Sequence, residues 1–291
     1  MHVLKIALPK GSLQDATFEL FAQAGYRVSV SPRSYVLKFD EDAKMKGLLF
    51  RAQEISRYVE QGIVDAGVTG RDWVAENGSK VKEVSNLLYA KSGSGIVKWV
   101  LAAPESSKIR TIKDLEGKRV ATELVQATKK FFRKNGVNAD IEFSWGATEI
   151  KAPALVDAIV DVTETGSSLE ANNLRVIATL LESNTVLIAN REAWKNPWKR
   201  QKIEDLNILL QGALSARNKV GLKMNAPKKS LADITAALPA MKSPTISPLS
   251  DDKWIALEII VDKRAVRDMI PKLKKAGASD IIEYPLTKVI K

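Results

Sequence analysis

The string "DVTETGSSLEANNL" runs from Asp161 to Leu174 and follows an apolar run, "ALVDAIV". It sets Thr165, Gly166, Ser167 and Ser168 side by side, with two acids, Asp161 and Glu164, just upstream. Glycine lets a backbone approach an anion closely, and the hydroxyls add donors without charge. If "SLEANN" opens a helix, its first amides point outward at the positive end of the dipole. Such a loop suits a phosphate, and the acids suit a sugar diol or a hydrated cation. The same string also serves as an N-capped turn, with Thr165 or Ser167 as the cap. Spacing alone leaves both readings open.

The rest of the inventory narrows the chemistry. The 291 residues contain no cysteine and a single histidine, His2. Disulfides, thiolate zinc sites and cysteine nucleophiles are excluded, and a serine–histidine–aspartate triad or multi-histidine metal site has no support. Carboxylates, hydroxyls, backbone amides, Lys, Arg and a hard cation remain. A net charge of +11 favours polyanionic partners. The basic residues are scattered and aromatics make up only 6%, so nucleic acid is not an expected partner. No apolar run approaches the roughly 20 residues that span a bilayer, and "MHVLKIALPKGSLQ" carries no small-residue cleavage site. A cytoplasmic protein without a membrane partner is expected.

In the N-terminal part, "VLKIAL" reads as a strand and "SLQDATFELFAQAG" as a helix, with Ser12 as its cap and Gly25 as its stop. "RAQEISRYVEQG", "IVDAGVTG" and "RDWVAENG" continue as helix, strand and helix, an alternation that predicts an α/β unit with a largely parallel sheet. A second unit starts near Lys98: "KWVLAAP", "KRVAT", "DIEFSW" and "VDVT" as strands, "QATKKFFRKNGV" and "APALVDAI" as helices. "LRVIATLLES" and "NTVLIAN" read as two strands returning to the first unit. The second unit is thus inserted into the first, with a hinge and a cleft between lobes. "PWKRQKIEDLNILLQGALSARN" predicts a long helix. From Lys219 the order becomes βαββαβ, the split ferredoxin-like motif. The expected division is 1–97 with 184–218, then 98–183, then 219–291.

The stretch "GATEIKAPALVDAIVDVTETGSSLEANNLRVI" resembles the phosphoribosyl-diphosphate signature of the ATP phosphoribosyltransferase family. "IALPKGSL" resembles that family's N-terminal strand and loop, and "RAQEISRYVEQGIVDAGVTGRDWV" its ATP-side segment. The last 70 or so residues, including "SPTISPL", resemble the regulatory domain of the family's long form. The resemblance implies a two-lobed core like a type II periplasmic binding protein, plus a ferredoxin-like third domain. It implies condensation of ATP, through adenine nitrogen 1, with phosphoribosyl diphosphate at the first step of histidine biosynthesis. Mg²⁺ as cofactor, inhibition by histidine, and a hexamer with dimers among its assemblies are implied with it.

Carried over by position, the resemblance puts Thr165, Gly166, Ser167 and Ser168 on the 5-phosphate, with Glu164 beside them. Asp161 and Glu149 fall near the ribose hydroxyls or the metal, Asp161 being the metal candidate. Lys10 and Gly11 fall at the cleft near the diphosphate, Lys10 and Asp161 as the catalytic pair. Many relatives carry arginine where this chain has Ser12. Arg51, Glu54, Asp65, Ala66 and Gly67 fall on the ATP side; for Asp65 a strand-end turn and for Gly67 a close-packing position are equally open. Asn225, Met241, Thr245, Ile260 and Asp280 fall at the histidine pocket, with Asn225 where relatives often carry aspartate. A two-lobed solute-binding protein without catalysis is the rival reading.

Overall fold

The computed structural model describes residues 2–31, 33–40, 42–89, 95–238 and 244–290, and the chain divides into two compact units, 1–207 and 208–291. In the first, β1 (Leu4–Lys10) buries Leu4, Ile6, Ala7 and Leu8 completely, as a strand covered on both faces must. α1 (Gln14–Ala24) turns Leu20, Phe21 and Ala24 inward and ends at Gly25, whose φ of 99° suits a residue without Cβ. Ser12 does not cap it: the cap position is Leu13, with no side-chain bond. β2 (Val28–Val30), β3 (Val36–Phe39) and β4 (Met45–Arg51) follow as an antiparallel run at the sheet edge. α2 (Ala52–Glu60), β5 (Ala66–Gly70), α3 (Arg71–Asn77) and β6 (Lys82–Leu87) complete the first lobe.

The second lobe comprises β7 (Ile96–Pro104), β8 (Arg119–Thr122), α4 (Val125–Lys134), β9 (Asp140–Phe143), β10 (Ala158–Thr163), α5 (Ser167–Ala171) and the 16-residue β11 (Leu174–Ala189). Two expectations change here. "LRVIATLLES" and "NTVLIAN" are one strand, β11, which bonds to β7 in the second lobe and to β5 and β6 in the first. Its register shifts at Val176/Ala178 and Thr179/Leu181 let it continue through the crossing. "APALVDAI" is not a helix: a 3-10 turn, Thr148–Ile150, gives way to irregular chain and then to β10. Pro153 has no N–H to donate and disfavours helical backbone at Ala152. The sheet is mixed, since β7 and β11 run antiparallel to their neighbours.

Strand order in this sheet is β2-β3-β4-β1-β5-β11-β7-β10-β8-β9, with β6 also on β11. The registers fix which strand ends meet. β5, parallel to β1, ends with Gly70 opposite Thr185 of β11. β10, parallel to β8, ends with Thr163 opposite Lys98, which stands opposite Glu182 of β11. The C-terminal ends of β1, β4 and β5 therefore point at those of β8, β9 and β10. The facing levels lie three residues apart along β11, about 10 Å at 3.3 Å per residue. The cores are separate: Ala7, Ile55, Val59, Val64, Val186 and Ile188 in one lobe, Leu101, Leu115, Leu124, Phe132 and Val160 among others in the second. Side chains bridge the lobes: Trp99 Nε1 donates to Asp72 Oδ2 at 2.8 Å, and the Gln126 and Ala127 amides donate to the Glu76 carboxylate, each at 2.9 Å.

α6 (Arg191–Lys195) and α7 (Pro197–Ala216) lead out of the sheet; α7 buries Ile203, Leu206, Leu210 and Ala213, the stripe its spacing predicts. The second unit then runs β12 (Lys219–Pro227), α8 (Leu231–Ala237), β13 (Thr245–Pro248), β14 (Trp254–Asp262), α9 (Lys263–Lys275) and β15 (Ser279–Pro285). Its sheet order, β13-β14-β12-β15, is antiparallel throughout, the ferredoxin-like arrangement. Alternate residues Val220, Leu222, Met224, Ile255, Leu257 and Ile259 pack on Ile234, Val266, Met269 and Leu273 of the two helices. No described helix is long and apolar enough to cross a membrane.

Candidate active site

The ends of β1 and β4 carry cations, and the facing ends of β8 and β10 carry acids. In the first lobe Lys10 and Arg51 end β1 and β4 and stand opposite one another in the register. Among the described residues neither has a carboxylate partner within ion-pair distance. Gly11 follows with φ 108°, and a Cβ built there would lie 3.2 Å from Arg51 Nη1. The left-handed backbone of the turn favours glycine, and the guanidinium lies close by. Ser12 is exposed.

In the second lobe Gly166 sits at φ 88° ahead of α5, with only Glu170 Oε1, 4.0 Å away, near a built Cβ. Its N–H donates to Thr163 Oγ1 at 2.8 Å, which ties the loop to the end of β10. Thr165 Oγ1 and Ser167 Oγ lie 3.0 Å apart, and Ser168 Oγ donates to Glu149 Oε1 at 2.6 Å. Thr165, Ser167, Ser168 and Glu164 are exposed. The loop bearing Glu149 is held by Ser144, whose Oγ contacts Thr148 Oγ1 at 2.8 Å and accepts from Lys151 Nζ at 2.6 Å.

Burial pushes the Asp161 carboxyl up to about 6, and the Glu149 and Glu123 carboxylates push the same way against a bond from the Val162 amide. Glu123, directly after β8, is raised by burial and by the Asp72 charge, opposed by a bond from Gln53 of α2. Asp72 is raised by burial, opposed by bonds from Trp99 and Trp73. Asp161, Glu149 and Glu123 of the second lobe therefore crowd one another, with Asp72 of the first lobe adding its charge to Glu123 and no cation paired with them among the described residues, a setting that a cation would relieve. Among the described residues no group of three or more acids or histidines is arranged to hold a metal by itself. This donor set fits an ion that takes one carboxylate and draws its other ligands from water and substrate phosphate, the habit of Mg²⁺.

Asp65, Ala66 and Gly67 lie elsewhere, at the start of β5, away from Lys10 and Arg51. Asp65 accepts from the Lys5 amide at 2.8 Å and pairs with Lys199 Nζ at 2.6 Å. A Cβ on Gly67 would meet Ile55 Cγ2 at 2.6 Å, and Ala66 is fully buried. Their contacts are those of packing and chain anchoring. Glu54, in the first turn of α2, accepts from Tyr58 Oη at 3.2 Å.

In the second unit, Asn225 Nδ2 donates to Asp280 Oδ2 at 3.2 Å. Thr245 pairs with Glu258, two residues from Ile260, on the face of β14 turned from the helical core. Met241 lies outside the described residues. Glu123, Asp72 and Tyr35 were missed by sequence reasoning; only the place of Glu123 at the end of a predicted strand could have singled it out.

Residues 51–212 match the family model described as ATP phosphoribosyltransferase, and residues 216–288 match that of its C-terminal domain. Proteins named ATP phosphoribosyltransferase from Chlorobaculum parvum and Pelotomaculum thermopropionicum are 58% and 59% identical, over 99% of this chain and 98% and 99% of theirs. A solved structure, an ATP phosphoribosyl transferase (HisG:HisZ) complex from Thermotoga maritima, superposes with a TM-score of 0.61 at 24% identity. It covers 72% of this chain and 98% of that one, and it supports the fold of the two-lobed core. From these matches and the cleft between the facing strand ends, the chain belongs to the ATP phosphoribosyltransferase family.

Proposed function

We propose that the cleft joins adenine nitrogen 1 of ATP to the anomeric carbon of phosphoribosyl diphosphate, releasing pyrophosphate, at the first step of histidine biosynthesis in the cytoplasm. The observation that carries this reading is the charge division of the facing strand ends. Lys10 and Arg51, without a carboxylate partner among the described residues, lie on one side, and a hydroxyl-rich glycine loop with crowded acids lies on the other. The loop Thr165–Ser168 takes the 5-phosphate, with Glu164 at its rim. Glu149, oriented by Ser168, and Asp161 take the ribose hydroxyls. Lys10 and Gly11 take the diphosphate, with Arg51 and Glu54 on the ATP side.

The nucleophile is a ring nitrogen with its own lone pair, so no histidine or cysteine base is needed. The chain aligns two polyanions and stabilises the charge that builds on the departing diphosphate. Asp161 would hold Mg²⁺, which when bound offsets negative charge on the diphosphate. The net charge of +11 lessens repulsion between the substrates. Asn225, Thr245, Ile260, Asp280 and Met241 form the histidine-binding region, and the enzyme assembles as a hexamer with dimers. Asp280 offers the ligand's ammonium the charge that Asn225 lacks.

Pyrophosphate release by the full chain with ATP, phosphoribosyl diphosphate and Mg²⁺ tests the activity. Binding of a small solute with no release supports the solute-binding alternative. For the regulatory reading, Asp280→Ala raises the histidine concentration needed for half-inhibition; an unchanged value removes Asp280 from the pocket.

A further inference from the structure

The neighbouring strands β3, β4 and β1 bring Tyr35, Arg51 and Lys10 to the edge that faces the second lobe. Tyr35 precedes β3, and because β3 runs antiparallel to β4, with Val36 opposite Leu48, it lies at the end where β4 finishes. Its backbone is fixed by the Leu49 amide, which donates to the Tyr35 carbonyl at 2.8 Å. The residue is 54% exposed, and its hydroxyl has no hydrogen-bond partner among the described residues. Over the ring, Lys10 Nζ lies 4.1 Å from its centroid.

A lysine ammonium on a four-carbon stem, next to an arginine and without a carboxylate, tends to swing into water and away from like charge. The negative face of an aromatic ring opposes that. It holds the ammonium without neutralising it, which a carboxylate partner would do. We propose that Tyr35 is a positioning residue that holds Lys10 beside Arg51, so that a diphosphate meets a preformed pair of cations. The inference rests on the reading that Lys10 receives the diphosphate, and it adds the residue that orders Lys10 before the ligand arrives.

Titration calorimetry of the full chain with inorganic pyrophosphate tests it. Tyr35→Leu weakens binding about two- to fivefold, the range of an exposed cation–π contact. Tyr35→Phe, which keeps the ring, restores the parent affinity. In a Lys10→Met background Tyr35→Leu has no further effect. A purely structural role for Tyr35 would add its loss in both backgrounds, and that result overturns the proposal. An equal loss in Tyr35→Phe transfers the effect to the hydroxyl and also overturns it. If Lys10→Met weakens binding while Tyr35→Leu does not, the proposal fails and the reading of Lys10 stands. Unchanged affinity in Lys10→Met overturns that reading, and the proposal with it.

Discussion

At the ends of β1 and β4, Lys10 and Arg51 have no carboxylate partner among the described residues; across the cleft, Asp161, Glu149 and Glu123 crowd one another with no cation paired with them among those residues. Each side is electrostatically incomplete in a way its opposite could relieve, yet the described residues show no ion pair across the gap. Keeping them apart preserves both charges for a ligand that carries phosphate at one end and sugar hydroxyls or a hydrated cation at the other. Charge withheld from pairing is a stronger sign of a binding site here than either cluster alone.

The strongest challenge to this contrast is a negative charge placed where the loop is to receive phosphate. Gly166→Asp adds a carboxylate and a Cβ at φ 88°, where open space surrounds it but the backbone disfavours it. Affinity for phosphoribosyl diphosphate should fall by more than about 100-fold, since a charge-assisted contact is replaced by repulsion. Calorimetry measures this, and circular dichroism checks that the fold remains. On the cationic side Lys10→Met should lower kcat/KM by about 10- to 100-fold, the value of a hydrogen bond to a charged group. Steady-state rates at several salt concentrations would show a weaker salt dependence in the variant.

Asp161→Asn separates the functional and structural consequences of the crowded acids. The carboxyl titrates near 6 rather than at its ordinary 3.8, so its folded-state pKa is raised. The associated stabilisation is complete below the ordinary value and is lost as pH rises through 6. At about pH 7.5 the variant should therefore be more stable by about 1–2 kcal/mol, discounted for partial exposure, while losing transfer activity. Urea unfolding at several pH values should show that advantage shrinking toward acid. Equal stability at every pH would mean that burial and the neighbouring acids do not raise the Asp161 carboxyl. The smallest effect is expected from Ser168→Ala, which frees Glu149 from its 2.6 Å bond. About a two- to tenfold rise in KM for phosphoribosyl diphosphate follows from one hydrogen bond, measured by initial rates.

Much of this was legible in the residues. Helical periodicity gave α1, α2, α4 and α7, and the βαββαβ order of the last unit was plain from its alternation and turns. Other parts depend on partners distant in the chain. Continuity of β11 is set by β7 and β5, which lie on opposite sides of the crossing, and no local signal distinguishes one bulged strand from two. The "APALVDAI" segment carries helix-forming residues, but Pro153 and the demands of β10 prevail. The glycine loop was visible in its string; that Lys10 and Arg51 have no carboxylate partner among the described residues was not, because such a cation is defined by what fails to approach it. Tyr35 reads as a surface residue until Lys10, 25 positions away, is seen above its ring.

β11 also governs how the core comes apart. One backbone is laddered into both lobes, so neither can lose its share of the sheet without stripping bonds from a strand the other still uses. The lobes, with their separate apolar interiors, should therefore melt as one cooperative block. The second unit, with its own four-stranded sheet and interior, has no strand in common with that block and is free to melt at a different temperature.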